Sequence, residues 1–135
     1  MRTVFADSGY WIAQIDPKDD LHAKVNEVSK RLHPLHIVTS EMVLVEVLNI
    51  FCQTQAVRKA AGTAVHAITS DANVTVIPQT RDLFRRALDL YRGRLDKDWS
   101  VTDCSSFLIM QDRGISDALA YDYHFEQAGF KALLR

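Results

Sequence analysis

Four acidic residues stand where an acid is costly or unusual. Asp7 ends the apolar run Val4-Phe5-Ala6 and is followed by Ser8-Gly9. A carboxylate at the end of a buried strand needs a hydrogen-bond donor, an opposite charge or a metal ion. Glu46 lies inside the apolar stretch Met42-Val43-Leu44-Val45-Glu46-Val47-Leu48, with Asn49 and Gln53 on the same helical stripe. Asp103 follows Ser100-Val101-Thr102. With Ser100 as N-cap it stands at N3, so one oxygen can close a capping box while the other faces a cleft. Asp122 follows Ala118-Leu119-Ala120-Tyr121. Taken singly, Asp7 and Asp122 read as turn or cap acids, Asp103 as a helix cap and the Glu46 stripe as a solvated face. Brought together, the four would repel one another and raise one another's pKa values. A divalent cation relieves that repulsion, and Mg²⁺, which takes oxygen ligands and keeps several waters, suits such a set. No His or Cys spacing resembles a zinc site, and His33 and His36, flanking Pro34, read as surface residues.

The elements that would position these acids alternate. Short β-rich runs fall at Thr3 to Ala6, His36 to Val38, Val74 to Ile77, within Ile115 to Tyr121, and at Phe130 to Leu134. Helical periodicity fills the intervals: Tyr10 to Ile15, Asp20 to Leu32, Glu41 to Phe51, Val57 to Ile68, Thr80 to about Tyr91, Ser100 to about Gln111, and Asp122 to Gln127. Glu41 to Phe51 is apolar almost all round and reads as a central buried helix. Alternating β and α units predict an α/β fold, a three-layer α/β/α sandwich on a central, mainly parallel sheet. In such sheets sites lie beyond the carboxyl ends of the strands, where Asp7 and Asp122 both fall.

The 135 residues suit a single domain, 1–135, with a core of its own. A composition 47% hydrophobic and 24% charged is that of a globular protein, and a net charge of −1 excludes a basic nucleic-acid coat. Cys52 and Cys104 form no CxxC. Both read as buried thiols in a reducing compartment, and with no apolar membrane-spanning run the expected location is the cytoplasm, with no membrane partner.

In order and surroundings the four acidic motifs resemble the PIN domain, and within it the VapC-like toxin ribonucleases. Val-Phe-Ala-Asp-Ser-Gly-Tyr-Trp is similar to that family's first strand. Thr-Ser-Glu-Met-Val-Leu-Val-Glu-Val-Leu-Asn is similar to its Glu-bearing helix, with Glu46 rather than Glu41 as the matching acid. Trp-Ser-Val-Thr-Asp-Cys carries its Ser/Thr-x-x-Asp motif, and Ala-Leu-Ala-Tyr-Asp-Tyr-His-Phe its last acid. Ala120 and Tyr121 depart from the small or hydroxylated residues common there. The resemblance implies a PIN-like fold and metal-dependent cleavage of RNA phosphodiester bonds, leaving 5′-phosphate and 3′-hydroxyl ends. Asp7, Glu46, Asp103 and Asp122 are then the catalytic and metal-holding residues, with Mg²⁺ as cofactor and Mn²⁺ as its substitute.

Ser8 is expected to orient the first acid or a metal-bound water, Thr102 and Ser100 to do the same around Asp103, and Asp117 to serve as an outer acid, while Asp98 reads as a loop acid. Arg85, Arg86 and His124 are the expected RNA contacts, and Tyr10 or Trp11 could also meet nucleotides, although Trp11 suits the core better. A cognate antitoxin and a second copy of the chain are the expected protein partners, on apolar surface around the first helices. The competing reading is a catalytically weak RNA-binding or scaffolding PIN-like domain. A receiver or phosphatase fold also places Asp after parallel strands, but the phosphatase needs Asp-x-Asp where this chain has Asp7-Ser8-Gly9.

Overall fold

The runs RTVFA, LHIVTS and VTVI are short and rich in β-branched residues, whereas the last two strands, DAL and KA, carry none. The computed structural model describes all 135 residues. In chain order the elements are β1 (Arg2–Ala6), α1 (Ser8–Ile15), α2 (His22–Leu32), β2 (Leu35–Ser40), α3 (Glu41–Ile50), α4 (Gln55–Ser70), β3 (Val74–Ile77), α5 (Arg81–Gly93), α6 (Val101–Arg113), β4 (Asp117–Leu119), α7 (His124–Gln127) and β5 (Lys131–Ala132). The caps read from sequence are present. Ser40, Thr80 and Ser100 each accept a hydrogen bond from the third residue of the helix that follows, and Gly114 ends α6 in the left-handed region at φ 65°.

The five strands form one sheet in the order β3-β2-β1-β4-β5, and every neighbouring pair is parallel. From β1 the chain builds outward through β2 to β3, then returns to lay β4 on the other side of β1. The strand order therefore reverses at the β1–β4 boundary, which opens a crevice at the carboxyl edge of the sheet. Asp7 and Asp122 follow the two strands that flank it.

One cluster of 26 buried residues forms the core. Its aromatic centre is Phe107 of α6, with Trp99 and Phe125 packed edge-on at ring-centroid distances of 5.0 and 5.1 Å. Tyr10 and Trp11 belong to this core, 2% and 3% exposed. The Tyr10 hydroxyl lies 3.0 Å from Ser29 Oγ, and Trp11 Nε1 donates to Thr39 Oγ1 at 3.1 Å.

Two expectations fail here. Helix α3 is not central: Val43, Leu44 and Val47 are buried, while Val45 (54% exposed), Leu48 and Ile50 face outward. An apolar face on a helix at the edge of its layer has nothing above it within one chain, so apolar composition alone overstated its burial. Cys104 is buried as expected, but Cys52 is exposed just beyond α3, where its thiol donates to Asn49 O. No helix is long and apolar enough to cross a membrane.

Candidate active site

Asp7 leaves β1 with extended backbone and becomes the N-cap residue of α1, but its side chain makes no cap. Its N–H donates to Leu119 O at 3.2 Å, which fastens the end of β1 to the end of β4. The carboxyl is buried, and its pKa is pushed up to about 7, first by burial and then by the charges of Asp103, Glu46 and Asp122; the Ser8 N–H acts in the opposite sense. All four sequence-derived acids are thus within electrostatic reach of one point, although they come from the ends of β1 and β4, the middle of α3 and the first turn of α6. No Lys or Arg forms an ion pair with any of them.

Glu46 is half-buried on α3 and accepts a hydrogen bond from Ser8 Oγ. The Ser8 hydroxyl therefore orients Glu46, because its position at the start of α1 points it across to α3, while the Ser8 N–H serves Asp7. Asp103 forms the expected capping box: its N–H donates to Ser100 Oγ at 3.0 Å, and its Oδ2 accepts from Ser100 N at 3.0 Å. Burial raises the Asp103 pKa; the Ser100 N–H and then the neighbouring His124 oppose that, and Asp122 reinforces it. Thr102 is buried in the same turn, but the supporting hydroxyl is that of Ser100. Asp122 stands in the loop after β4, its side chain 44% exposed, and its Oδ1 accepts the His124 N–H at 3.1 Å.

Several expected contributors lie elsewhere. Asp117 opens β4, and Arg2 at the start of β1 binds it at 2.7 Å. It therefore sits about 10 Å below the sheet edge, three residues before Ala120, and serves an ion pair rather than the acidic group. Arg86 makes a two-pronged pair with Asp112, at 2.7 and 2.9 Å. Asp112 is nine residues along α6 from Asp103, roughly 13 Å at helical rise, so Arg86 attends the far end of that helix, and its neighbour Arg85 is exposed without an ion pair. Helices α5 and α6 run side by side in opposite senses, which spacing along the chain does not reveal. His124 is not a free cation for phosphate. Its side chain is 13% exposed, with Nδ1 3.1 Å from Asp103 Oδ2 and 3.2 Å from Asp122 Oδ2, and Nε2 2.9 Å from Asp98 Oδ1. Asp98, read from sequence as a loop acid, is thereby tied to the site. Its partner lies 26 residues away, and no local pattern announces such a contact.

The four carboxylates supply hard oxygen donors without a compensating Lys or Arg, a donor set that fits Mg²⁺ or Mn²⁺. As they stand, no three His, Cys, Asp or Glu side chains form a group able to hold a metal ion.

The parallel sheet flanked by helices is a PIN-like α/β/α fold, and the chain is similar to a VapC toxin over nearly its whole length. It is 29% identical over 127 residues to the 23S rRNA-specific endonuclease VapC20 of Mycobacterium tuberculosis, in both strain CDC 1551 / Oshkosh and strain ATCC 25618 / H37Rv, covering 94% of this chain and 95% of the relative. The crystal structure of M. tuberculosis VapC20, a sarcin–ricin loop cleaving toxin, matches with a TM-score of 0.84 at 28% identity, over 94% of this chain and 95% of that one. No family model matches the chain.

Proposed function

We propose that this protein is a metal-dependent endoribonuclease and the toxin of a toxin–antitoxin pair. The observation that carries the reading is Asp7: a buried carboxyl at a strand end, raised to about 7 by burial and by three other acids, and without a basic partner. Buried carboxyls set among other acids, with raised pKa values, cluster at functional sites. The full-length likeness to VapC20 supports the same reading and makes the sarcin–ricin loop of 23S rRNA the first substrate to test.

In this reading Asp7, Glu46, Asp103 and Asp122 hold a divalent cation, Mg²⁺ or Mn²⁺. When bound, the cation supplies Lewis-acid stabilisation of phosphate charge and acidifies water. The chain's own contribution is placement. Ser8 holds Glu46, the Ser100 capping box fixes Asp103, and β1 and β4 deliver Asp7 and Asp122 to one crevice. The expected partners are RNA, a cognate antitoxin and a second copy of the chain. The bare apolar residues Val45, Leu48 and Ile50 on α3 support the second copy. A groove of about 510 Å³ between α1, α2 and α4, lined by Gln14, Ile15, Ala64 and Ile68 among others, supports an antitoxin segment.

The test is cleavage of ribosomal and unstructured RNA with Mg²⁺, Mn²⁺ or EDTA, beside Asp103→Asn. Metal-dependent cutting that leaves 5′-phosphate ends and vanishes in the variant is expected. Products ending in 2′,3′-cyclic phosphate would sink the mechanism, since they require attack by the RNA's own 2′ oxygen. The competing reading, an RNA-binding domain without cleavage, draws on the fact that the acids are not already gathered as a metal group. It predicts RNA retention with no cutting under any metal.

A further inference from the structure

Asp98 and His124 lie outside the four acids; the His124 side chain is 13% exposed, and Asp98, 71% exposed, precedes a buried aromatic anchor. Each is followed by a buried aromatic residue, Trp99 and Phe125, and both rings stack edge-on against Phe107. Trp99 Nε1 donates to Gln127 Oε1 at 3.0 Å, tying the loop before α6 to α7. Phe107 stands four residues beyond Asp103, about one helical turn. One aromatic knot therefore sets the positions of Asp98, His124 and the first turn of α6 together.

The imidazole closes that arrangement. Nε2 meets Asp98 Oδ1 at 2.9 Å, and Nδ1 meets Asp103 Oδ2 at 3.1 Å and Asp122 Oδ2 at 3.2 Å. Asp103 Oδ2 also accepts the Ser100 N–H. Both contacts fall on one oxygen, which fixes the plane of this carboxylate and leaves Oδ1 outside them. Asp122, otherwise half-exposed on a loop, is held at Oδ1 by the His124 N–H and approached at Oδ2 by the ring. The Tyr123 ring packs 4.7 Å from the imidazole, and its hydroxyl reaches Asp98 Oδ2 at 3.4 Å.

We propose that His124 is a positioning residue for Asp103 and Asp122, and that Asp98 acts through it by holding the imidazole ring. The inference rests on the nuclease reading and deepens it. His124 decides which oxygen of Asp103 faces the crevice and orders Asp122 before anything binds. Groups that orient ligating side chains in this way govern metal affinity without touching the metal.

The experiment measures Mn²⁺ affinity by calorimetry on the full chain, then steady-state RNA cleavage, for wild type, His124→Ala, His124→Asn, His124→Gln and Asp98→Ala. His124→Ala is expected to weaken Mn²⁺ binding about tenfold and to lower kcat with little change in KM. His124→Asn, whose amide N–H reaches the Nδ1 position, restores most of the loss. His124→Gln, which reaches toward Asp98 instead, does not, and Asp98→Ala shows a smaller loss in the same direction. If His124→Ala fails to fold, the difference between the Asn and Gln variants carries the test. Unchanged Mn²⁺ affinity across the variants overturns the inference, and so does tighter binding, which would make the ring a competitor of the cation. A wild type that neither binds Mn²⁺ nor cuts RNA overturns the nuclease reading and this inference with it. A wild type that does both, beside indifferent variants, overturns the inference alone.

Discussion

Asp7 connects the chemistry of the site to the stability of the fold. Its folded pKa of about 7 lies above the ordinary value of 3.8, so the folded protein holds a proton that the unfolded chain has already released. The stabilisation is complete below about pH 4 and is lost as pH rises through about 7. Metal-free wild type should therefore weaken over that window relative to Asp7→Asn, which has no such proton to lose. The gap should reach at most roughly 4 kcal/mol above pH 8. Thermal melts in EDTA at pH 5 and pH 8 check this: the variant should melt higher at pH 8, and the difference should shrink at pH 5. The same variant should abolish RNA cleavage, and a strongly destabilised Asp7→Asn would instead make Asp7 a structural acid. Asp7 was recognisable from its own neighbours because an acid ending an apolar run is a local contradiction. The service of Ser8 to Glu46 was not, because it depends on how α1 and α3 lie against each other.

At the scale of the element, α6 does more than any other helix. It carries Asp103 in its first turn and Phe107 in its second, and its capping box was legible because all its members lie within four residues. Ser100→Ala removes the N-cap and should cost about 1 kcal/mol, read as a shifted denaturant midpoint with unchanged slope. Activity should fall further than stability alone requires, since the Asp103 N–H loses its acceptor and the turn that carries the carboxylate loosens. Ser106 Oγ, buried in the same helix, has no hydrogen-bond partner. Ser106→Ala should therefore stabilise the protein by about 1 kcal/mol. The tie between α6 and α7 through His124 spans 21 residues, and only the packed aromatic knot creates it.

At the scale of the whole molecule, two surfaces matter. The arginines of α5 seemed from their spacing to lead toward the acids, but the opposed run of α5 and α6 carries Arg86 to Asp112 instead. Arg86→Ala should leave RNA affinity nearly unchanged in a filter-binding titration. The outer face of α3, with Val45 and Leu48 bare, should be covered by a second copy. Sedimentation should give twice the chain mass for wild type, and a single-chain mass for Val45→Glu combined with Leu48→Glu, with helical circular dichroism retained. An unchanged mass in the double variant would remove α3 from the interface.

The sequence by itself determined the alternation of strands and helices and the caps, and it singled out four acids that the fold brings within electrostatic reach of one another. These rest on hydrophobic period, capping chemistry and the cost of a misplaced charge, all of which act over a few residues. Tertiary structure decided everything that depends on which elements lie side by side. It reversed the strand order at β1 and β4, so that Asp7 and Asp122 flank one crevice. It moved Asp117 and Arg86 away into ion pairs and laid α3 on the surface. It also brought Asp98 and His124 onto the acids. The physical reason is the same in each case: the contact is made between distant segments that share a core, and its energy is invisible to either segment alone.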